Sequence, residues 1–378
     1  MPAVQGLIDK YIFHKQQREF SPSSNSHSAS LDPCPFIPAK ARDQEIPPPI
    51  STGTAVFTLV AYTIIYVVPF YLSSLTRPSA TLSRDAPSVI RARIASVSLS
   101  CAICSVVTFL LLTTNGKPGD ATRLLNRDAI HLMGYLPVGL AETVNSLLLT
   151  AGLFLGPLFE HLVVERGWRA WAGLPTPDTP RPRVLGPLFD LADWANWRNY
   201  VAGPVTEEVL FRGAAVPLLL LAHTPVRRTV LLSPIVFGLA HLHHAYEFSI
   251  THPHVPKWQV AIRSLLQFAY TTLFGCYATF LYLRTGSLLA VCVVHSFCNS
   301  MGLPRFYGRV QRNPDVGEEK PANASSSAQP PAPQGNLLWT LAYYTLLVAG
   351  AVYWYKHLWS QTESAHALIS FPIDASSK

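Results

Sequence analysis

From Gly53 to Ser74 the chain carries no charged side chain. As a helix, such a run is long enough to cross a hydrocarbon core about 30 Å thick, which takes about 20 residues. Comparable runs follow at Ala92 (or Ile94) to Thr114, Glu142–Leu162, Thr229 to about His244, Trp258–Leu283, Ser287–Leu303 and Leu337–Tyr355, with a short segment at Ile130–Leu140. Charged residues are 13% of the chain, against about 25% in ordinary soluble domains. The pattern predicts an all-α polytopic membrane protein, with about eight transmembrane helices enclosing an intramembrane polar cavity.

Composition divides the chain further. Residues 1–49 read as a solvated tail, Ser/Asn-rich at Ser21–Ser30 and closed by Pro47-Pro48-Pro49. Residues 50–303 form the membrane domain and 304–335 an exposed loop rich in Pro, Ser and Ala. Residues 336–357 hold the last transmembrane helix, and 358–378 a polar tail. Leu188–Tyr200, with Trp194 and Trp197, reads as amphipathic and interfacial.

The net charge of +7 (29 basic, 22 acidic) is scattered through short connections. That argues against a nucleic-acid partner and for contact with lipid headgroups. Five of the six cysteines lie in apolar runs, and Cys101-Ala-Ile-Cys104 has no second pair, so neither a disulfide framework nor a zinc motif is expected. Asn323-Ala324-Ser325 is a glycosylation sequon, informative only if its loop is lumenal.

Against this apolar background stands Thr206-Glu207-Glu208-Val209-Leu210-Phe211-Arg212. An ionisable group at the centre of a membrane helix costs about 2.5–3.5 kcal/mol. Glu208 and Arg212 are four apart and can pair on one helix face, while Glu207 points about 100° away. Pro204 suits a helix start or kink, Thr206 a cap, and Pro217 a bend. Two more polar clusters interrupt apolar runs: Phe237-Gly-Leu-Ala-His241, and His295-Ser-Phe-Cys-Asn299, whose His and Asn share a face. His243, His244 and Glu247 read either as support for the site or as a solvated rim. Glu142, His131, Glu160 and His161 read as interfacial or satisfied by neighbours.

A carboxylate, two imidazoles and a carboxamide suffice for amide hydrolysis by water. Glu207 would take a proton from a water shared with His241. His295 and Asn299 would donate to the oxyanion. Taken singly, each residue has a structural reading: His as packing residue, Asn as interhelical glue, Glu-Glu as an interfacial pair. Three such clusters together leave several burial costs unexplained unless they meet.

Glu207-Glu208-xxx-Arg212, Phe237-xxx-His241 and His295-xxx-Asn299, in that order, resemble the three motifs of the CAAX prenyl endopeptidase family (type II, Ras-converting), which are intramembrane glutamate proteases. Arg198-Asn199-Tyr200 and His241-Leu-His-His-Ala-Tyr246 are similar to its eukaryotic branch. The resemblance runs from about residue 190 to 303. It implies an endoplasmic reticulum enzyme that removes the last three residues of farnesylated or geranylgeranylated CAAX proteins such as Ras-type GTPases. It also implies that Glu207 and His241 activate water, that His295 and Asn299 hold the oxyanion, and that Glu208, Arg212 and Phe237 support them, with no cofactor or metal. A zinc protease is the nearest competing reading, though the sequence has no HExxH. A non-enzymatic membrane scaffold, a proton-coupled transporter and a Cys298 nucleophile follow it.

Overall fold

The computed structural model describes residues 47–79, 83–114, 127–168, 193–311 and 336–369. Most of the amino-terminal tail, Cys34, Asn323 with most of its loop, and the end of the carboxyl-terminal tail lie outside them. Among the described residues the secondary structure is helical and no strand occurs. In lipid the backbone must satisfy its own hydrogen bonds, which a helix does within one segment.

Ser51 caps the first helix, α1 (Thr52–Val67), by accepting from the Thr54 amide. It continues as α2 (Pro69–Leu72). Among the described residues three helical segments are long and apolar enough to cross a membrane: Thr52–Leu72, α3 (Pro87–Thr114) and Leu337–Gln361. Phe57, Leu72, Leu99, Leu110 and Leu338 on these segments are exposed, as lipid-facing residues would be.

After the short α4 (Arg127–Leu132) comes a fourth candidate, broken in two. α5 (Leu140–Leu153) meets α6 (Leu155–Phe159) and its π-helical extension Glu160–Val164 at 79°. The straight span expected at 142–162 is therefore bent. Pro157 supplies the reason, since it offers no N–H to the Leu153 carbonyl four residues back and its ring crowds that carbonyl. The segment expected at 130–140 is helical only to Leu132.

The centre of the fold is one helical run in several registers. It starts as α7 (Trp194–Trp197), capped by Asp193 accepting from Ala195 N. A π-helical turn (Arg198–Ala202) leads into α8 (Gly203–Glu208), a second one (Val209–Ala214) into α9 (Ala215–Leu221). Each π turn precedes a proline, Pro204 or Pro217, so the wider turn makes room for a residue that cannot continue the ladder. Thr206 therefore does not cap a helix. It lies mid-run, and its hydroxyl donates to the Ala202 carbonyl.

The second half of this run, from Leu210 to Leu219, is buried on every side, as a helix apolar on most faces should be. Leu210, Phe211, Ala214 and Leu218 pack with Leu59 and Tyr62 of α1 and Cys101 and Cys104 of α3. Val216 packs with Leu281, Leu288 and Val291. Lipid tails are as apolar as leucine, so helices in lipid associate through close packing and polar links. Such links are present: Tyr62 Oη to Thr108 Oγ1 at 2.9 Å, Thr108 to the Ala214 carbonyl at 2.9 Å, and Tyr66 Oη to Thr206 Oγ1 at 3.0 Å.

α10 (Val226–Ala240) packs along α12 (Lys257–Thr285), with α11 (His243–Thr251) between them in sequence. The run expected to end near His244 stops as a helix at Ala240, and α11 follows as a separate one. Gly286, at φ +61°, turns α12 into α13 (Leu288–Met301); a Cβ there would collide with the His366 carbonyl and find a backbone conformation that L-residues avoid. Residues 302–311 then pack back: Arg305 pairs with Glu160 at 2.7 Å and Val310 is buried against Tyr343 of α14 (Leu337–Gln361).

Candidate active site

The three polar clusters predicted from the sequence come from α8, α10 and α13, and the structure brings most of them together. Glu208 and Arg212 are fully buried, and Arg212 Nη1 donates to Glu208 Oε1 at 2.9 Å. The same carboxylate oxygen takes His295 Nδ1 at 2.7 Å. Glu208 thus binds His295 directly, a contact between residues 87 apart that no helical spacing could reveal. Arg212 also donates through Nη2 to the Gly275 carbonyl at 3.2 Å. Gly275 has to be small. A Cβ there would lie 2.9 Å from Pro234 Cβ and 3.2 Å from both Arg212 Nη2 and Phe237 Cδ1.

Glu207 points away from that pair. Its Oε2 lies 3.8 Å from His241 Nε2 and 3.9 Å from His295 Nε2. These separations exceed a direct hydrogen bond and suit a bridging water. Unlike Glu208, the Glu207 side chain keeps 22% of its surface accessible.

The partners of the two rings fix their tautomers. His241 Nδ1 lies 2.8 Å from the Phe237 carbonyl, which can only accept. His295 Nδ1 faces the Glu208 carboxylate. Both Nδ1 atoms therefore carry protons, and in the neutral rings both Nε2 atoms present lone pairs to Glu207. Three acceptor atoms facing one another need a shared proton or a water that donates to them.

Phe237 is the apolar centre of the site and 1% exposed. Its ring meets Phe211 at 5.0 Å and His241 at 4.7 Å, with the Arg212 guanidinium 4.6 Å over its face. Phe274 packs on His295 at 4.5 Å. Asn299 is the predicted residue that stands apart. It is exposed one turn beyond His295, and its Nδ2 donates to the Asn199 carbonyl at 3.0 Å. A carboxamide has two N–H donors, so one remains for another acceptor.

Sequence reasoning missed Gly275, Phe274 and Tyr66, whose hydroxyl bonds Thr206 beside Glu207. Their signal is tertiary. His243, His244 and Glu247, left open by the sequence, lie outside the Glu207 group. Glu247 is buried, 2.6 Å from Arg93 and 3.3 Å from both Arg84 and His244 Nδ1. Among the described residues these three bring ligand atoms within 4.8 Å of one another, but two guanidinium groups already neutralise the carboxylate a cation would need.

Comparison with known proteins agrees with the motifs. The family model described as "Type II CAAX prenyl endopeptidase Rce1-like" matches residues 192–301, the segment that holds the whole site. The chain is 32% identical over 302 residues to the "Probable CAAX prenyl protease 2" of Schizosaccharomyces pombe, covering 80% of this chain and 91% of that one. It is 32% identical to the "CAAX prenyl protease 2" of Arabidopsis thaliana (68% and 82% covered) and 34% identical to that of Homo sapiens (62% and 68%). No solved structure matches. With most of both chains aligned to the fission-yeast relative and the site inside the matched segment, this protein belongs to the type II, Rce1-like CAAX prenyl endopeptidase family.

Proposed function

We propose that Glu207, His241 and His295 hydrolyse the peptide bond after a prenylated cysteine, releasing the last three residues of a CAAX protein. The relatives are named as CAAX prenyl proteases, and this chain is a membrane hydrolase of that class. The observation that carries the catalytic reading is the Glu207 carboxylate facing two imidazole Nε2 atoms at 3.8 and 3.9 Å. A water donating one hydrogen to Glu207 and the other to His241 turns a lone pair outward, towards a carbonyl. As the C–O bond forms, its proton passes to Glu207 and the carbonyl electrons move to oxygen. The C–N bond then breaks, the leaving amine takes that proton, and the carboxylate is restored.

The oxyanion needs donors. His295 can donate from Nε2 only when both ring nitrogens carry protons, and the Glu208 carboxylate, itself held by Arg212, fixes the ring from the Nδ1 side. Asn299 contributes its second N–H. Losing one such donor costs about 10²–10³ in turnover. Phe237 supports the site by fixing the His241 ring and the Arg212 head.

The same reading extends to setting. About eight helices surrounding a polar cavity suit a chain whose broken and shorter helices accompany three clear spans. A division into a tail (1–49), a protease domain (50–303), an exposed loop (304–335) whose start packs back through Val310, a last transmembrane helix (336–357) and a tail (358–378) fits with it. We place the enzyme in the endoplasmic reticulum, with farnesylated or geranylgeranylated Ras-type GTPases among its substrates.

The test is cleavage of a farnesylated CAAX peptide by the protein in phosphatidylcholine vesicles, with and without a strong chelator. Turnover should be unchanged by the chelator and far lower without the lipid, since each buried CH₂ contributes about 0.8 kcal/mol to docking. Activity lost on chelation and restored by zinc would establish a metalloprotease instead; equal turnover of prenylated and unprenylated peptide would contradict docking from the bilayer.

A further inference from the structure

Three arginines from different parts of the chain converge beside the Glu207 group. Arg93 Nη2 lies 2.6 Å and Arg84 Nη1 3.3 Å from the two oxygens of Glu247, and Arg198 Nη1 lies 2.7 Å from Asp85 Oδ1. Burial first, then the charges of Arg198 and Arg93, push the Arg84 guanidinium down. Three cations meet two carboxylates here, an excess of one positive charge at neutral pH.

The cluster is tied to both sides of the proposed site. Arg198 Nε donates to Asn199 Oδ1 at 3.0 Å, and the Asn199 carbonyl takes the Asn299 amide. On the other side Glu247 holds His244, whose ring centroid lies 5.8 Å from that of His241. A peptide cleaved three residues from its end presents a free carboxylate about 10 Å from the scissile carbonyl, at 3.3–3.6 Å per extended residue. A protease that removes a fixed length needs a group that senses the end.

We infer that Arg84 and Arg198 form the subsite for the α-carboxylate of the substrate's last residue. This rests on the hydrolase reading above. Asp85 occupies that place in the free protein: its side chain is 58% exposed and bridges the two arginines, at 2.7 Å from Arg198 and 3.9 Å from Arg84 Nε. An ion pair so exposed contributes little, so an incoming carboxylate can take it over. Guanidinium groups suit the purpose because they grip carboxylates with two parallel N–H donors.

The experiment compares two farnesylated CAAX peptides of identical sequence, one ending in a free acid and the other in a carboxamide. It uses the full chain in vesicles of phosphatidylcholine, which offers no net anionic headgroup to compete. The wild type should favour the acid by about 10- to 100-fold in kcat/KM, the range of a charge-assisted hydrogen bond. Arg198→Gln and Arg84→Gln should each shrink the acid-over-amide ratio of kcat/KM towards one, read per folded molecule; Arg198→Lys should keep part of the preference. Asp85→Asn should lower KM for the acid peptide alone. Equal cleavage of both peptides by the wild type would overturn the subsite and leave the hydrolase reading standing. The same holds if the preference persists in both Gln variants. Cleavage of neither peptide would overturn both.

Discussion

Two glutamate–histidine clusters lie side by side in this molecule and are built for opposite ends. Glu247 is buried, flanked by His243 and His244, and locked by Arg84 and Arg93. Glu207 also faces two histidines, yet no arginine pairs with it among the described contacts, and it keeps part of its surface open. The arginine that could have neutralised Glu207 is spent on its neighbour, Glu208. The contrast teaches that arginine pairing, rather than the Glu/His content, separates a structural lock from a reactive group. A carboxylate held by a guanidinium has lost its basicity; one facing imidazole lone pairs can exchange protons with them.

Protonation follows the same division. Burial alone would raise the Glu247 carboxyl, but the His244 hydrogen bond and the Arg93 and Arg84 charges outweigh it and hold it at about 2. Burial pushes His243 down to about 3 and lowers His244. The stabilisation from Glu247 is whole above its ordinary value of 4.5 and is lost as pH falls towards about 2. His243 weakens the fold as pH drops below 6.5, where the unfolded ring takes a proton that the folded one refuses. Above pH 6.5, then, this cluster keeps one charge state.

Breaking either cluster should therefore give different readouts. His241→Ala or His295→Ala should lower kcat by about 10²–10⁴, the range of general acid–base catalysis, measured with the farnesylated peptide. Arg212→Ala strands a buried carboxylate and should cost about 3–5 kcal/mol of stability, visible as a large drop in Tm. Asn299→Ala should reduce kcat by about 10²–10³ with little change in Tm, because its side chain is exposed. Gly275→Ala should cost about 1–3 kcal/mol by overpacking, lowering Tm and disturbing the Arg212 head.

The helical period made part of this legible. The Glu208–Arg212 pair, four apart, is where the spacing placed it, and Glu207 does point elsewhere. Apolar runs marked the helices at 52–72, 87–114 and 337–361, though the last continues to Gln361. Other features needed the third dimension. Pro157 lay in plain view, but its effect at Leu153 bends a run that hydrophobicity reads as straight. Thr206 looked like a cap because Pro204 looked like a start, whereas Asp193 begins the run earlier. The Glu208–His295 bond and the Gly275 carbonyl under Arg212 join residues far apart in sequence, and no local pattern encodes such pairs. His243–Thr251 closes into a helix although its His and Ser residues dilute the apolar pattern.

The most direct measurement sets Glu207→Gln beside Glu247→Gln, with kcat on the farnesylated peptide and Tm recorded for each. Glu207→Gln should keep its Tm and lose at least about 100-fold in kcat, while Glu247→Gln should lose Tm and keep kcat per folded molecule. A Glu207→Gln protein that still turns over within a few-fold of wild type would contradict the assignment of the unpaired carboxylate as the base.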